Sequence, residues 1–420
     1  MPFIWRQVTV GTKHHFIGFI NFMNAHPQHA VLVTSLSFVW REDFLPMVRD
    51  PVTYEDIIDE SSEPFHLFQR AAVCLTQLTR LRIDLAEIRK LSVNLESIPT
   101  LLSRVFASAP IRMFAIYSFL SPLHPQSIVN CMAWRQTLTH FIVNNSESSL
   151  NIEDIQWPCL PQLKCLVTHD IQVATPVVLA NPQIRSLYVT SQDGLGMEEI
   201  PYTSRFLITA LDTMGRSDTG SQLRKAVLYC RGPYQAAHFG DLLQAVRWEN
   251  LEDLTLFMDY KFFWPGSKRT HLAEYVVAEL SSSYFTLITE LPNLVALRLR
   301  TQDQSSWVCA PEPDSSQLRA EAASHLAAFL CNSGLRHPRL DMIEIRCQGV
   351  IIPGVWGVCT IEGSFSDGHE WEVNDSLQVF GDGDDWDERT LYNEDWSRKG
   401  RPDYFDSRVP LHTLHRMLSF

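Results

Sequence analysis

Apolar positions in this chain fall in short bursts with one recurring spacing. Four segments open on Pro and then place Leu or Ile at the third and sixth positions and a strand-compatible residue at the eighth. They are Pro161-Gln162-Leu163-Lys164-Cys165-Leu166-Val167-Thr168, Pro182-Gln183-Ile184-Arg185-Ser186-Leu187-Tyr188-Val189, Pro292-Asn293-Leu294-Val295-Ala296-Leu297-Arg298-Leu299 and Pro338-Arg339-Leu340-Asp341-Met342-Ile343-Glu344-Ile345. Six looser copies lack the Pro and fill the gaps: Val33-Leu36-Phe38, Leu78-Leu81-Ile83, Ile111-Phe114-Ile116, Leu138-Phe141-Val143, Leu223-Ala226-Leu228 and Leu251-Leu254-Leu256. Self-similarity of this kind points to a repeat architecture. In each copy the first apolar residue starts the turn into a strand. The next two, one residue apart, point to the same side of a period-two strand. The Pro is read as presetting an extended entry that no preceding helix can absorb.

The inward set that follows is Leu166, Leu187, Val189, Leu254, Leu256, Leu297, Leu299, Ile343 and Ile345. The residues between them, among them Arg185, Tyr188, Arg298 and Glu344, belong on the opposite, concave side and are mostly polar. Between the strands lie amphipathic stretches: Phe16, Phe19, Ile20 and Met23; Leu101, Leu102, Val105 and Phe106; Phe239, Leu242, Leu243 and Val246; Leu318, Ala322, Leu326, Phe329 and Leu330. Strand starts recur every roughly 20–45 residues, wider and less even than a consensus leucine-rich ribbon. The fold class read from this is α/β: an irregular leucine-rich-repeat-like solenoid over residues 1–349, a parallel curved sheet with outer helices. Near Gly349 the composition shifts. Val350–Ile361 and His369–Val373 around a Ser364–Gly368 turn predict a hairpin, and a dense acidic block, Asp382–Glu388, follows. Residues 350–420 therefore read as a short C-terminal β and irregular tail.

One further pattern stands at the start. Pro2-Phe3-Ile4-Trp5-Arg6-Gln7-Val8-Thr9-Val10 precedes a helix, a stop at Asn24-Ala25-His26-Pro27 and the strand Val33-Thr34-Ser35-Leu36-Ser37-Phe38. This order, together with the Leu-Pro strand openings at Leu160 and Leu291, resembles the divergent fungal F-box proteins with degenerate leucine-rich repeats. The resemblance covers most of the chain up to about residue 350. It implies a non-enzymatic protein-interaction scaffold, similar to the substrate-recognition part of an F-box protein of a cullin ubiquitin ligase. The F-box itself is missing from the reading: nothing before Trp5 holds it, and no other stretch offers its usual opening. No binding of the Skp-type adaptor is expected without it, and the partner is an unknown protein. The alternative is an orphan repeat protein with a structural or regulatory role unrelated to ubiquitin.

Composition sharpens what is excluded. The chain has 420 residues, too many for one core, so it divides or elongates. It is 45% apolar with 20% charged residues, as a folded protein is, and its net charge is −13. No long Lys/Arg run exists, which disfavours nucleic acid. Phe16–Met23 is too short to span a bilayer, and no membrane contact is expected. No secretory signal is legible at the start, so the nine cysteines read as reduced, buried thiols and the location as cytoplasmic or nuclear.

No serine-hydrolase elbow, P-loop, dinucleotide fingerprint, zinc-protease helix or zinc-type Cys/His pairing is present. Lys13-His14-His15 reads as a basic helix start with a surface pair, and Cys159 and Cys165 read as buried thiols. Asp382-Gly383-Asp384-Asp385-Trp386-Asp387-Glu388 fails the calcium-loop pattern, with Asp387 where a Gly is needed and Asn393 where a Glu is needed. The sequence thus supports no catalytic residues, no metal site and no cofactor.

Overall fold

In a computed structural model, residues 6–39 other than 12, 63–84, 97–118, 128, 134–145, 156–168, 171–189, 204–217, 222–230, 239–259, 272–303, 313–332, 337–352, 355–365 and 371–380 are described. The chain divides into two compact units, Met1–Ile184 and Arg185–Phe420.

The first unit runs β1 (Gln7–Val10), α1 (Lys13–Ala25), α2 (Pro27–Ala30), β2 (Ser35–Val39), α3 (Glu63–Val73), β3 (Arg80–Asp84), α4 (Ser97–Val105), β4 (Met113–Ser118), β5 (His140–Asn145), β6 (Cys165–Thr168) and α5 (Ile171–Ala180). Its strands are neighbours in chain order, and every pair is parallel. A parallel return requires a crossover, and the intervening segments are long enough to carry one.

The second unit runs β7 (Ser186–Val189), α6 (Ser204–Gly215), β8 (Lys225–Cys230), α7 (Phe239–Ala245), β9 (Asp253–Asp259), α8 (Leu272–Glu290), β10 (Ala296–Asp303), α9 (Pro313–Asn332), β11 (Met342–Ile352), β12 (Val355–Phe365) and β13 (Trp371–Phe380). Strands β7 to β11 are parallel in chain order. The chain then turns back, and β12 and β13 are antiparallel to their neighbours. A hairpin thus stands where the sequence reading put one, with other bounds: Val350–Ile352 close β11, the first arm runs Val355–Phe365 through residues read as turn, and the second extends to Phe380. Mixed α/β structure, mostly parallel strands and one strand per crossover give each unit a solenoid-like connectivity.

The recurring apolar triplets set the register. In the first unit Leu36, Leu81, Phe114, Phe141 and Leu166 pair from strand to strand, as do Phe38, Ile83, Ile116, Val143 and Thr168. In the second the columns are Leu187, Ala226, Leu254, Leu297, Ile343 and Val189, Leu228, Leu256, Leu299, Ile345. All these side chains are buried, so every member of the predicted inward set lies in the core. Aromatic rings thicken the first unit: Phe114 and Phe141 stack at 6.2 Å, and Phe16, Phe38, Phe68 and Phe106 meet edge-on or tilted. The helices press their predicted faces inward through Phe16, Phe19, Ile20 and Met23, through Leu101, Leu102 and Val105, and through Ala322, Leu326 and Leu330.

Two backbone devices repeat at the strand entries. A tight turn closes before most strands, as in Leu163 N–H to Leu160 O at 2.9 Å, Ile184 to Asn181 at 3.2 Å and Leu294 to Leu291 at 3.1 Å. Pro161, Pro182 and Pro292 occupy the second position of these turns. That corrects the sequence reading of an extended entry: the fixed φ of Pro serves the first central position of a turn equally well. The second device is a ladder outside the strands. The Arg6 carbonyl accepts the amides of Thr34 and Ser35, Thr34 accepts those of Thr79 and Arg80, and Thr79 accepts those of Arg112 and Met113. The same step recurs from Arg112 to Thr139 and His140, and from Thr139 to Lys164 and Cys165. In the second unit it recurs from Arg185, Arg224, Glu252 and Val295 to the next strand, and all these distances lie between 2.8 and 3.1 Å.

Candidate interaction surface

The side of the sheets away from the triplet columns is where a repeat scaffold presents side chains, and its chemistry differs from the sequence expectation. A polar, solvated concave side was expected from Arg185, Tyr188, Arg298 and Glu344. Arg185 is exposed, but Tyr188 is buried, and Arg298 and Arg300 expose only 5% and 3%. Val227, Thr255 and Phe257 in the second unit are buried with them, as are Met113, Ala115, Tyr117, Ile142 and Val167 in the first. The polar groups of this face are thus embedded in apolar surroundings, and buried charges persist only when they are paired.

They are paired across strands. Arg298 on β10 meets Asp253 on β9, and Lys225 on β8 reaches the same carboxylate at 3.3 Å. Arg300 donates through Nε to Glu344 on β11 at 3.1 Å, its Nη2 lies 2.9 Å from the same oxygen as an ion pair, and its guanidinium lies 5.8 Å from the Phe257 ring centre. Burial alone would raise the Glu344 carboxyl, yet Arg300, Arg346 and Arg298 together hold it below the ordinary carboxylate range. In the first unit Arg82 pairs with Asp84 along one strand and lies 5.4 Å from the Tyr117 ring centre. Burial pushes the Tyr117 phenol up, with Asp84 adding to the shift and Arg82 opposing it.

The strand-entry rim is more open. Each ladder carbonyl belongs to a residue whose side chain stands at that rim, and Arg112, Lys164, Arg185, Arg224 and Asp341 are exposed there. The threonines of the rim turn back onto the ladder: Thr34 Oγ1 donates to Arg6 O, Thr79 to Thr34 O and Thr139 to Arg112 O. On the strand residues next to the rim, burial lowers Arg80, and burial with the charges of Arg80 and Lys164 lowers His140.

Polar residues also replace leucine at two places just before the repeat Pro. Leu160 and Leu291 are buried there, and so are Asn181 and His337. Asn181 accepts the Leu160 N–H at 2.6 Å and donates to Val177 O at 2.8 Å and Pro158 O at 3.3 Å. His337 Nδ1 accepts the N–H groups of Leu340 at 2.9 Å and Arg339 at 3.2 Å, so its Nε2, 2.8 Å from Leu291 O, carries the proton. Burial lowers its pKa and the Leu291 bond opposes this. Each polar side chain thus ties one repeat to the equivalent residue of an earlier one.

In three comparisons, no protein-family model, no curated protein and no solved structure matches the chain. The site is therefore argued from its own geometry. Among the described residues no three His, Cys, Asp or Glu side chains come together in a way that could hold a metal ion. None of the described helices is long and apolar enough to cross a membrane. His15 is exposed, and the acidic block Asp382–Glu388 lies outside the described residues. Cys165 is buried as expected, but Cys159 and Cys331 are exposed and Cys74 is half-buried. The correction has a simple cause: Cys159 stands just before the turn residue Leu160, and its side chain has no place in the column that Leu163 and Leu166 fill.

The sequence reading missed the buried ion pairs, the rim cations and the polar bridges at Asn181 and His337. A signal existed for the last two, since both stand immediately before a repeat Pro where the sister copies carry Leu.

Proposed function

We propose that this chain is a non-enzymatic recognition scaffold of leucine-rich-repeat-like type, similar to the substrate-recognition part of an F-box protein of a cullin ubiquitin ligase. The observation that carries the scaffold reading is the shared step: triplet column, entry turn and carbonyl ladder recur at nearly every parallel strand of both units. Such a step places one rim side chain every ~4.8 Å, which builds an extended surface for a protein partner. The ubiquitin part rests on the sequence resemblance alone.

Crosslinking mass spectrometry on the tagged chain in its own cells tests the scaffold. The expected result is a small, reproducible set of partner proteins crosslinked through rim or sheet-face residues; no saturable partner would count against it. Deleting the chain tests the ubiquitin part separately. A captured partner should then become longer-lived, and an unchanged half-life removes that part while leaving the scaffold. These 420 residues show no F-box opening motif, so by themselves they are not expected to retain the Skp-type adaptor in a pull-down.

A further inference from the structure

We propose that the strand-entry rim of β3 to β6 docks an acidic, extended peptide segment of a partner protein. The inference rests on the scaffold reading and adds the chemistry of what is bound. Four consecutive strands each bring one basic group to this rim: Arg80 on β3, Arg112 before β4, His140 on β5 and Lys164 before β6. Arg112 and Lys164 hold the same position of the repeat step on strands two apart. Arg80 and His140 hold the next position, also on strands two apart, since both register with Met113. Strands lie ~4.8 Å apart, so like positions are spaced by ~10 Å and the four groups alternate along the rim.

Among the described residues nothing acidic stands beside them at the strand entries. From Arg6 to Cys165 the two residues at each of the six strand entries are Arg, Gln, Thr, Ser, Thr, Arg, Arg, Met, Thr, His, Lys and Cys, without one Asp or Glu, in a chain of net charge −13. Among the described residues, Arg80, Arg112 and Lys164 take part in no ion pair. The second unit shows what the same step does when it is self-sufficient. There Arg224 and Lys225 at the entry of β8 meet Glu252 at 3.5 Å and Asp253 at 3.3 Å at the entry of β9. In the first unit the positions equivalent to Glu252 and Asp253 are filled by those twelve residues, none of them acidic. Positive charge crowds this rim, since Arg80 and Lys164 both disfavour a charged His140, after burial itself. An external anion relieves that repulsion.

The spacing selects the anion. Carboxylates three residues apart on an extended peptide in the three-fold polyproline II form share one face and lie ~9 Å apart, close to the ~10 Å spacing of Arg112 and Lys164. Four basic groups on a strongly acidic chain are too few to neutralise a nucleic-acid backbone. The hydroxyls of Thr79 and Thr139 already donate to the ladder, which leaves the cations as the recognising groups.

Fluorescence anisotropy with the full chain tests this. The probe is a labelled peptide with Glu at every third position in a Ser/Gly background, beside its Gln counterpart, with inorganic phosphate and a single-stranded oligonucleotide as competitors. The peptide should bind saturably and weaken as salt is raised from about 50 to 300 mM. The Gln peptide and millimolar phosphate should have little effect. Combined Arg112→Glu and Lys164→Glu should weaken binding by about tenfold or more, the milder Arg112→Gln and Lys164→Gln pair by less, and Arg224→Gln not at all. Unchanged affinity in either rim variant with native circular dichroism overturns the proposal, as does preference for the oligonucleotide. A chain that crosslinks to its partner yet ignores the peptide sinks this site and leaves the scaffold standing. A chain that binds the peptide but captures no partner does the reverse.

Discussion

At the scale of single residues, a position's role depends on the column it joins. Leu297 sits between Leu254 and Ile343, buried on both sides, so Leu297→Ala should cost about 2–5 kcal/mol in urea unfolding. Asn181 matters for a different reason. Replacing it with Leu, the residue its sister copies use, removes the acceptor of the Leu160 N–H, and a buried donor left unmet costs about 1–3 kcal/mol. A neutral Asn181→Leu would show instead that the Leu160 amide finds another acceptor. The two residues also differ in legibility. Leu297 was readable because burial follows a period that any copy repeats. Asn181 was not, because the partner of a polar side chain is fixed by tertiary approach, and the residues it clamps lie 21 and 23 positions away. Arg298 misled for the same reason. Its charge argued for a solvated face, and only the cross-strand carboxylate of Asp253 makes its burial tolerable.

At the scale of elements, strand positions and parallel pairing were legible because the triplets fix register and the crossovers fix direction. Helix details were less so. The helix α5, Ile171–Ala180, contains Pro176 in its interior, where Pro lacks the amide that would bond the preceding turn. It persists because Ile171, Val173, Ala174, Val177 and Val178 are all buried, so packing outweighs the local penalty. Pro176→Ala should therefore stabilise the chain by about 2 kcal/mol, the helix gain less the greater freedom of the unfolded chain, seen as a raised thermal midpoint. A lowered midpoint would mean that the Pro ring itself fills the contact. The hairpin of β12 and β13 was legible as a turn between two apolar runs. Its covering was not: α9 lies against it, with Leu330 beside Gly363. That pairing of a helix with strands up to 48 residues later leaves no local trace.

At the scale of the whole molecule, acid response follows from two histidines, His337 buried and His140 half-buried. His337 and His140 both have pKa values below the ordinary 6.5. Above that value both states are neutral and nothing changes. As pH falls below it the unfolded chain takes up protons that the native state resists, so stability declines down to the depressed native pKa. The urea midpoint should fall as pH drops below about 6.5, and His337→Asn, which keeps an acceptor for Leu340 N–H, should flatten part of that fall. Glu344 acts in a separate window. Its carboxyl is held low by Arg300, Arg346 and Arg298 against burial, so its contribution is present above the ordinary 4.5 and disappears only at lower pH. A midpoint that stays flat to pH 5 would contradict the histidine assignment. Length alone left division or elongation open, and the boundary of the two units, between Ile184 and Arg185, falls inside a strict repeat copy that reads as continuous.

The carbonyl ladder has a mechanical consequence. Each entry carbonyl grips only the next strand, so tension applied to one end of the second unit should peel strands singly, as a zip yields tooth by tooth. Consecutive entries there lie 28 to 46 residues apart, as the starts Ser186, Lys225, Asp253, Ala296 and Met342 show. Each rupture should then release roughly 100–160 Å of contour length, in unequal steps set by the crossovers. A force trace with one large rupture would show instead that the strands let go together.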